Sequence, residues 1–217
     1  MRKPIVLIAM LCMSYAVASA ETPATFVAGS VGGFLTGASN FDKLSDSRFV
    51  LSFAGECGIP ISQQVSLYAR FTYFSKSGIS VVSTRYYNYY GQPLATPESF
   101  VGNIHVWQLV SNYGVLHSLL LMPGLGVEIN GGFTYSIFRA SPEDISPASS
   151  VPTSPVRTHN AVGAFAGMVL VHQLASGPLS AFLAAQYNYL WPVESSSASN
   201  YACVNASAGI RFCLDCR

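Results

Sequence analysis

The sequence predicts an all-β fold, an eight-stranded antiparallel up-and-down β-barrel that crosses a membrane. Three observations lead to this prediction. Apolar and polar residues alternate with a period of two along much of the chain, as they do in strands with two different faces. The segments between these strands are alternately short and long. Only 10% of the 217 residues are charged and 50% are hydrophobic, whereas a water-soluble domain carries about 25% charged residues.

The first 20 residues have the features of a cleaved export signal. A basic pair at residues 2–3 precedes an apolar run at residues 5–12, and residues 18–20 (Ala-Ser-Ala) match a small-x-small cleavage site. The apolar run is too short to span a bilayer. We therefore predict a signal peptide at residues 1–20 and an outer-membrane barrel domain at residues 21–217.

The alternation assigns eight strands along the mature chain. In residues 125–137, for example, the odd positions are mostly large and apolar, whereas the even positions include Glu128 and Asn130. In chain order, the predicted strands are 25–35, 49–56, 65–73, 104–113, 125–137, 161–171, 179–189 and 201–212.

The pattern is weaker in three of these segments. In residues 104–113, only a few positions support the assignment of a strand. Residues 25–35 are rich in glycine, and residues 161–171 are nearly all small or apolar. Periodicity does not separate a strand from a helix in the last of them. A helical hairpin over residues 161–190 is therefore an alternative, although Pro178 interrupts it.

The links between the predicted strands alternate in length, which indicates a meander with short turns at one end and long loops at the other. This is the pattern of an outer-membrane barrel. Tilted strands of about 9–11 residues cross a bilayer, and a closed ladder leaves no backbone group unpaired toward lipid. The short links are 60–64, 114–119 and 174–178, and the long links are 36–47, 75–100, 139–159 and 191–199.

These features resemble the eight-stranded OmpA/OmpX-type barrels of the bacterial outer membrane. The resemblance is carried by the export segment, the strand-turn-strand run from Phe53 to Tyr73, the strand start at 123–127 (Pro-Gly-Leu-Gly-Val) and the final 209–212 (Gly-Ile-Arg-Phe). It implies periplasmic turns, extracellular loops and contact with outer-membrane lipid and lipopolysaccharide. It also implies insertion by the barrel-assembly machinery with periplasmic chaperones, and a structural or surface-interaction role.

The alternation places one set of polar side chains inside the barrel. We predict at least one arginine–carboxylate network there, because a buried charge without a partner is strongly destabilising. Eight strands enclose an interior that side chains just fill, so we expect a plugged lumen. A gate that exchanges ion partners, giving a narrow path for ions or small solutes, is the alternative. The predicted lumen residues are Arg48, Glu56, Arg70, Glu128, Asn130, Gln186, Asn188 and Arg211.

Aromatic residues near the strand ends that face the long loops predict an interfacial girdle. The alternative is a secreted soluble β-sandwich, in which these residues are ordinary core aromatics. A separate cluster at residues 86–90 (Tyr-Tyr-Asn-Tyr-Tyr) fits either an extracellular ligand surface or packing on the barrel rim. The predicted girdle residues are Phe34, Phe71, Tyr73, Tyr135, Tyr187, Tyr189 and Trp191.

The mature chain has four cysteines, Cys57, Cys203, Cys213 and Cys216. The spacing of Cys213 and Cys216 is that of a redox motif, but no helix start follows it to lower the pKa of a thiol. Export to an oxidising compartment favours a structural disulfide instead. Four cysteines allow three pairings, and the sequence does not choose among them.

The sequence carries no signature of an enzyme or of a cofactor site. The adjacent pair at 117–118 (His-Ser) falls in a predicted short turn, and the nucleophile-elbow, zinc-protease and phosphate-loop motifs are missing. The chain has 11 Lys and Arg against 10 Asp and Glu, a balance that argues against nucleic-acid binding. We expect no catalysis, no cofactor and no metal.

Overall fold

A computed structural model of the chain describes residues 24–36, 49–84, 98–142, 157–174, 177–193 and 201–215. Eight strands form one closed antiparallel barrel, in which each strand pairs with its neighbours in the chain and the last pairs with the first. The predicted up-and-down barrel is confirmed. The strands are β1 (Phe26–Thr36), β2 (Phe49–Pro60), β3 (Val65–Thr84), β4 (Glu98–Met122), β5 (Leu125–Pro142), β6 (Arg157–Gln173), β7 (Leu179–Pro192) and β8 (Tyr201–Cys213).

The two alternatives to a barrel are wrong. The closed order of strands excludes a two-sheet sandwich, and most of residues 161–190, the alternative helical hairpin, belongs to β6 and β7. Within the described residues, no helix has the length and apolar character needed to cross a membrane.

The barrel has two ends, which we name by their connections. The turn end holds the connections at 61–64, 123–124 and 174–178, and the loop end is the opposite one. The short link predicted at residues 114–119 is wrong, because these residues lie within β4 and pair with β5, and residues 114–117 also pair with β3. The real turn has Gly124 in the left-handed region with a φ of 77°.

The error at residues 114–119 has a physical cause in the close approach of two strands. Gly114 lies opposite Gly132, and a Cβ atom built on Gly114 would collide with the backbone of Gly131. This glycine therefore allows strand packing, whereas the sequence analysis interpreted it as a turn residue.

The pairing of β3 with β4 is described over a longer stretch than the pairings on either side of it. Among the described residues, the last β2–β3 pair at the loop end is Ser52 with Phe74, and the last β4–β5 pair is Ile104 with Pro142. The β3–β4 pairing continues as far as Thr84 with Glu98. We call residues 75–84 and 98–103 the β3–β4 ribbon. The segments that precede β2 and follow β5 in the chain, at residues 37–48 and 143–156, lie outside the described residues.

The ribbon corrects the long link predicted at residues 75–100. Polar and small residues outnumber the apolar ones at residues 75–84, so the sequence gives no period-two strand signal there. The connection between β3 and β4 covers only residues 85–97, which lie outside the described part of the chain. The other links predicted to be long also lie mostly outside it.

The barrel wall has two chemically opposite faces. On β5, for example, Ile129 is 48% exposed on the outer face, whereas its neighbour Glu128 is 7% exposed on the inner face. The outer face carries large apolar residues on all eight strands. They include Val31, Phe53, Leu67, Val115, Phe133, Met168, Leu183 and Ile210.

Candidate functional site: the barrel lumen

A layer of buried apolar side chains lies in the lumen near the loop end. Its buried members come from every strand except β5, and β5 adds the partly buried Phe138 and Ala140. The rings of Phe34 and Phe74 lie 4.8 Å apart at its centre. We call this layer the apolar collar. It consists of Phe34, Val50, Phe74, Val106, Val110, Ala161, Leu190 and Cys203.

Phe34 corrects the predicted girdle. The sequence analysis placed it on the outer face, but its side chain is 0% exposed and lies in the collar. The residues of β1 around it are small and apolar on both faces, so nothing in β1 distinguishes inside from outside. Its register partners show that Phe34 faces inward, because both Val50 on β2 and Asn205 on β8 are buried.

Below the collar, Arg70 is the centre of a hydrogen-bonded network that joins opposite ends of the chain. Its Nη2 atom donates to Asn205 Oδ1 and to Ser207 Oγ, both at 2.8 Å, and its Nε atom donates to Thr72 Oγ1 at 3.3 Å. Its Nη1 atom lies 3.7 Å from Glu56 Oε2. The guanidinium therefore links β3 to β2 and β8 within the lumen.

The same network extends to two further side chains. The hydroxyl of Tyr68 donates to Glu56 Oε2 at 2.7 Å, and Asn205 Nδ2 donates to Ser52 Oγ at 2.9 Å. The carboxylate of Glu56 is thus held both by an arginine and by a buried tyrosine. These contacts fix the relative positions of β2, β3 and β8 around the barrel closure.

A second charged pair lies closer to the turn end. Arg211 donates through Nη1 and Nη2 to the two carboxylate oxygens of Glu128, at 2.6 and 2.7 Å. The guanidinium carbon of Arg211 lies 3.8 Å from the ring centre of Phe26 and 5.7 Å from that of Phe182. The ion pair is therefore bidentate and backed by two aromatic rings, an arrangement that favours arginine over lysine.

Glycines make room for these two rings. A Cβ atom on Gly58 would meet the ring of Phe26, and a Cβ atom on Gly209 would meet the ring of Phe182. Each large inward side chain thus lies against a residue that has no side chain.

The middle of the lumen is polar and only partly satisfied by protein atoms. Gln108 donates to Ser136 Oγ at 2.7 Å, and Asn112 donates to Gln186 Oε1 at 3.2 Å. Several buried polar atoms in the described residues have no protein partner, including Glu56 Oε1, Asn130 Oδ1, Asn188 Oδ1 and Arg211 Nε. A cavity of about 180 Å³ at the turn end reaches the Glu128–Arg211 pair.

Seven of the eight predicted lumen residues are buried within the barrel, and the eighth, Arg48, lies outside the described residues. The structure brings Glu56 together with Arg70, and Glu128 together with Arg211. Gln186 joins Asn112. Asn130 and Asn188 lie in the lumen beside these groups.

The remaining predicted girdle residues lie on the outer face. Near the loop end the rings of Tyr73 and Trp107 are 6.5 Å apart, and those of Tyr189 and Trp191 are 5.1 Å apart. The hydroxyl of Tyr135 donates to Asn160 Oδ1 at 3.2 Å. Phe71 and Tyr187 are also exposed, and Phe71 packs against Tyr113.

Sequence reasoning missed the apolar collar and the aromatic residues around the ion pairs. A usable signal was present in the parity of each strand. Gln186 and Asn188 mark the even positions of β7 as inward, so Leu190 and Phe182 follow. Extending the inward parity of Gln186 and Asn188 along β7 in both directions would have identified Phe182 and Leu190 as lumen residues.

Cys213 forms a disulfide bond. Cys216, which with Cys213 makes one of the possible disulfides, lies outside the described residues. Cys57 is a free thiol on β2, and Cys203 belongs to the apolar collar. Within the described residues, no group of three or more His, Cys, Asp or Glu side chains is arranged to hold a metal ion.

The chain has the fold of the eight-stranded outer-membrane barrels. Neisserial surface protein A superposes with a TM-score of 0.54 at 11% sequence identity, over 88% of this chain and 97% of that protein. A major outer membrane protein from Thermus thermophilus superposes with a TM-score of 0.50 at 13% identity, over 88% and 99% of the two chains. No protein-family profile matches the sequence, and no curated protein matches it.

Proposed function

We propose that this chain is an integral protein of the bacterial outer membrane, exported by residues 1–20, with a structural or surface-interaction role and no enzymatic activity. The observation that carries the proposal is the inverted polarity of the barrel. Large apolar side chains such as Phe53 and Leu183 are exposed outside, while charged side chains such as Arg70 and Glu128 are buried inside. This distribution suits a wall surrounded by lipid.

The dimensions of the barrel support the same location. Tilted strands of about 9–11 residues cross a bilayer, and the eight strands have between 11 and 25 residues. The Tyr73–Trp107 and Tyr189–Trp191 pairs on the outer face fit a membrane interface. We place the loop end outside the cell and the turn end in the periplasm, because barrels of this class have short periplasmic turns and longer extracellular loops.

The lumen supports a structural role. The apolar collar receives side chains from the whole ring of strands, and the two ion-pair networks join distant strands beneath it. These side chains act as a plug that fixes strand register. The partners we expect are outer-membrane lipid and lipopolysaccharide around the wall, and the barrel-assembly machinery with periplasmic chaperones during insertion.

Gel migration and protease accessibility test this proposal. The full chain, expressed in a bacterium with two membranes, should fractionate with the outer membrane and resist extraction with carbonate. Unboiled protein should migrate differently from boiled protein, because the closed barrel resists detergent. Protease added to intact cells should cut within residues 85–97 or 143–156 and leave the turn end intact. Recovery in the soluble fraction with identical migration in both lanes would contradict the proposal.

A narrow channel is the second candidate function, favoured by the unsatisfied polar atoms of the lumen and the cavity at the turn end. In that case the collar is the barrier that opens. Conductance in planar bilayers separates the two functions. A plugged barrel should show no current steps across a range of voltage and pH, whereas frequent steps from the unmodified protein would favour the channel.

A further inference from the structure

Exposed aliphatic side chains surround the barrel at the turn end. Each of the three hairpins at this end carries at least one of them, and the segment that follows β8 carries another. They therefore occur around the whole circumference. We call this set the aliphatic rim. Its members are between 41% and 58% exposed: Ile61, Leu121, Met122, Leu174, Leu179 and Leu214.

The turns that carry the rim contain no charged residue. Residues 61–64, 119–127 and 173–180 include no Asp, Glu, Lys or Arg, whereas each of the four connections at the loop end includes at least one. Asp215, which follows Leu214, lies beside the rim. Connections that face water are normally rich in polar turn residues. Residues 119–127 read Leu-Leu-Leu-Met-Pro-Gly-Leu-Gly-Val instead, a composition closer to that of the apolar wall.

The backbone of these turns is hydrogen-bonded within the protein. The amides of three rim residues donate to carbonyl oxygens of the neighbouring chain: Ile61 to Val65 at 2.9 Å, Leu174 to Leu179 at 2.9 Å, and Leu214 to Thr25 at 2.8 Å. In the remaining turn, Pro123 has no N–H to satisfy. Because an unpaired backbone group is strongly unfavourable in lipid, this pairing makes the turns compatible with a lipid environment.

The rim completes the apolar outer face of the strands above it. Along residues 51–61, 179–189 and 204–214, every second residue is apolar, aromatic or glycine and lies on the outer face, and each range includes one rim residue at its end. A tilted strand of this length rises about 25 Å along the barrel axis. This is the height of the apolar band of an outer-membrane barrel, so the band includes the rim.

We propose that the aliphatic rim lies within the periplasmic leaflet of the outer membrane, where it contacts the acyl chains and glycerol groups of phospholipids. The turns are then immersed in the bilayer rather than surrounded by water. This inference rests on the proposed function, because it requires the turn end to lie on the periplasmic side of a membrane.

The distribution of the rim identifies lipid as its partner. A second protein, or a second copy of the chain, covers one side of a barrel, whereas Ile61, Leu121, Leu174 and Leu214 lie on different sides of it. Lipid surrounds the barrel completely. The rim is also continuous with the outer wall, which the proposed function places in lipid.

Two histidines of the outer face lie near the level of the rim. His117 is opposite Val65, the first residue of β3, and His172 is two residues from Leu174. Side chains with an apolar body and a polar tip direct the tip toward water at such a boundary. Both imidazoles are therefore placed to contact the lipid headgroups while the rim contacts the chains.

Depth-dependent fluorescence quenching tests the proposal on the protein folded into phosphatidylcholine vesicles. Replacing Trp107 and Trp191 with phenylalanine removes the two native tryptophans. A single tryptophan is then introduced by Ile61→Trp or Leu174→Trp in the rim, or by Phe133→Trp in the wall as a control. We expect lipid brominated near the glycerol end of its chains to quench both rim tryptophans at least twofold. Acrylamide on both sides of the bilayer should quench them no more than the wall tryptophan.

The wall control separates failure of this inference from failure of the proposed function. Rim tryptophans quenched by acrylamide and not by brominated lipid, beside a wall tryptophan that lipid quenches, would overturn only the rim proposal. A wall tryptophan that lipid does not quench would overturn both. Protection of the rim from both quenchers would show that protein covers it, a second copy where the protection disappears at high lipid-to-protein ratio, and would also overturn the rim proposal.

Two charge variants in one turn form a matched pair. Ile61→Glu places a carboxylate in the rim, whereas Gln63→Glu places it on a residue that is already polar and exposed. If the rim is in lipid, Ile61→Glu should lower the equilibrium constant for folding into vesicles at least fivefold, because charge is unfavourable on the lipid face. Gln63→Glu should lower it less than twofold. Equal effects of the two variants would contradict the proposal.

Discussion

Arg211 and Glu128 form a bidentate ion pair across the lumen, with N–O distances of 2.6 and 2.7 Å, although they are 83 residues apart in the chain. The pair connects β8 to β5 through the interior, past the strands that lie between them in the wall. Arg211 is 6% exposed and Glu128 is 7% exposed. Such a pair constrains barrel shape in a way that pairing between neighbouring strands does not.

Removing one partner of this pair should destabilise the barrel strongly. We expect Glu128→Gln to lower the free energy of unfolding by about 3–5 kcal/mol, because a buried guanidinium loses its counter-charge. Urea unfolding of the protein in detergent micelles or lipid vesicles measures this change. Ile129→Leu, on the opposite face of the same strand, is the control and should change stability by less than about 0.5 kcal/mol.

The double variant Glu128→Leu/Arg211→Met tests whether the loss comes from the unpaired charge. It should be less destabilised than the sum of its single variants, because replacing both members of a buried pair is often neutral. Additive losses would show that the two side chains stabilise the barrel independently.

A charge on the outer face distinguishes lipid from water around the wall. Val31 lies at the middle of β1 and is exposed. If lipid surrounds the barrel, Val31→Arg should cost about 2–4 kcal/mol when the protein is folded into vesicles. A water-exposed wall would accept the same change within about 0.5 kcal/mol. Equilibrium unfolding in vesicles measures the difference, and Val31→Leu serves as the neutral control.

The apolar collar should control whether ions enter the lumen. Replacing both Phe34 and Phe74 with serine removes the two rings that pack against each other and introduces hydroxyls, so we expect current steps in planar bilayers where the unmodified protein gives none. Hydrophobic constrictions of this kind block ions by excluding water. Phe133→Ser, on the outer face, should remain silent. Silence of the double variant, with retained heat-modifiable migration, would place the barrier elsewhere in the lumen.

Close approach of β4 and β5 predicts a contrast between two glycines. A Cβ atom on Gly114 would collide with the backbone of Gly131, whereas a Cβ atom on Gly29 would meet nothing within 4 Å. Gly114→Ala should therefore destabilise the protein by about 1–3 kcal/mol through overpacking. Gly29→Ala should be tolerated. Thermal unfolding of the two variants compares them directly, and equal stability would contradict the close approach.

The sequence was sufficient for the barrel because alternation acts locally within each strand. Glu128 among apolar neighbours fixes the facing of β5 without any knowledge of the other strands, and Arg70 does the same for β3. The charge of their partners could also be predicted, because a buried charge requires a partner of opposite charge. Which carboxylate meets which arginine did not follow, because pairing across a lumen depends on barrel stagger, which no single strand determines.

Positions without a local marker were the ones predicted wrongly. Phe34 lies in a glycine-rich strand whose two faces look alike in sequence, so only pairing with β2 and β8 shows that it is buried. Glycine is common both in turns and where two strands approach closely, so the sequence alone does not show which role Gly114 has. The part of β3 beyond Phe74 has no regular alternation of apolar and polar residues, so periodicity does not detect it.

The glycines that pack against large aromatic rings in the lumen predict correlated substitution between positions that are distant in the chain. Phe26 occupies space left by Gly58, and Phe182 occupies space left by Gly209. A Cβ atom on Gly209 would also collide with the backbone oxygen of Gly29, so a smaller ring at Phe182 does not by itself make room there. At Gly58 the ring of Phe26 is the nearest obstacle, and an inherited change that enlarges Gly58 is accommodated best where Phe26 has already become smaller. Among natural variants of this gene, Phe26 and Gly58 should thus be replaced as a pair, and such joint replacement is readable from genomes alone.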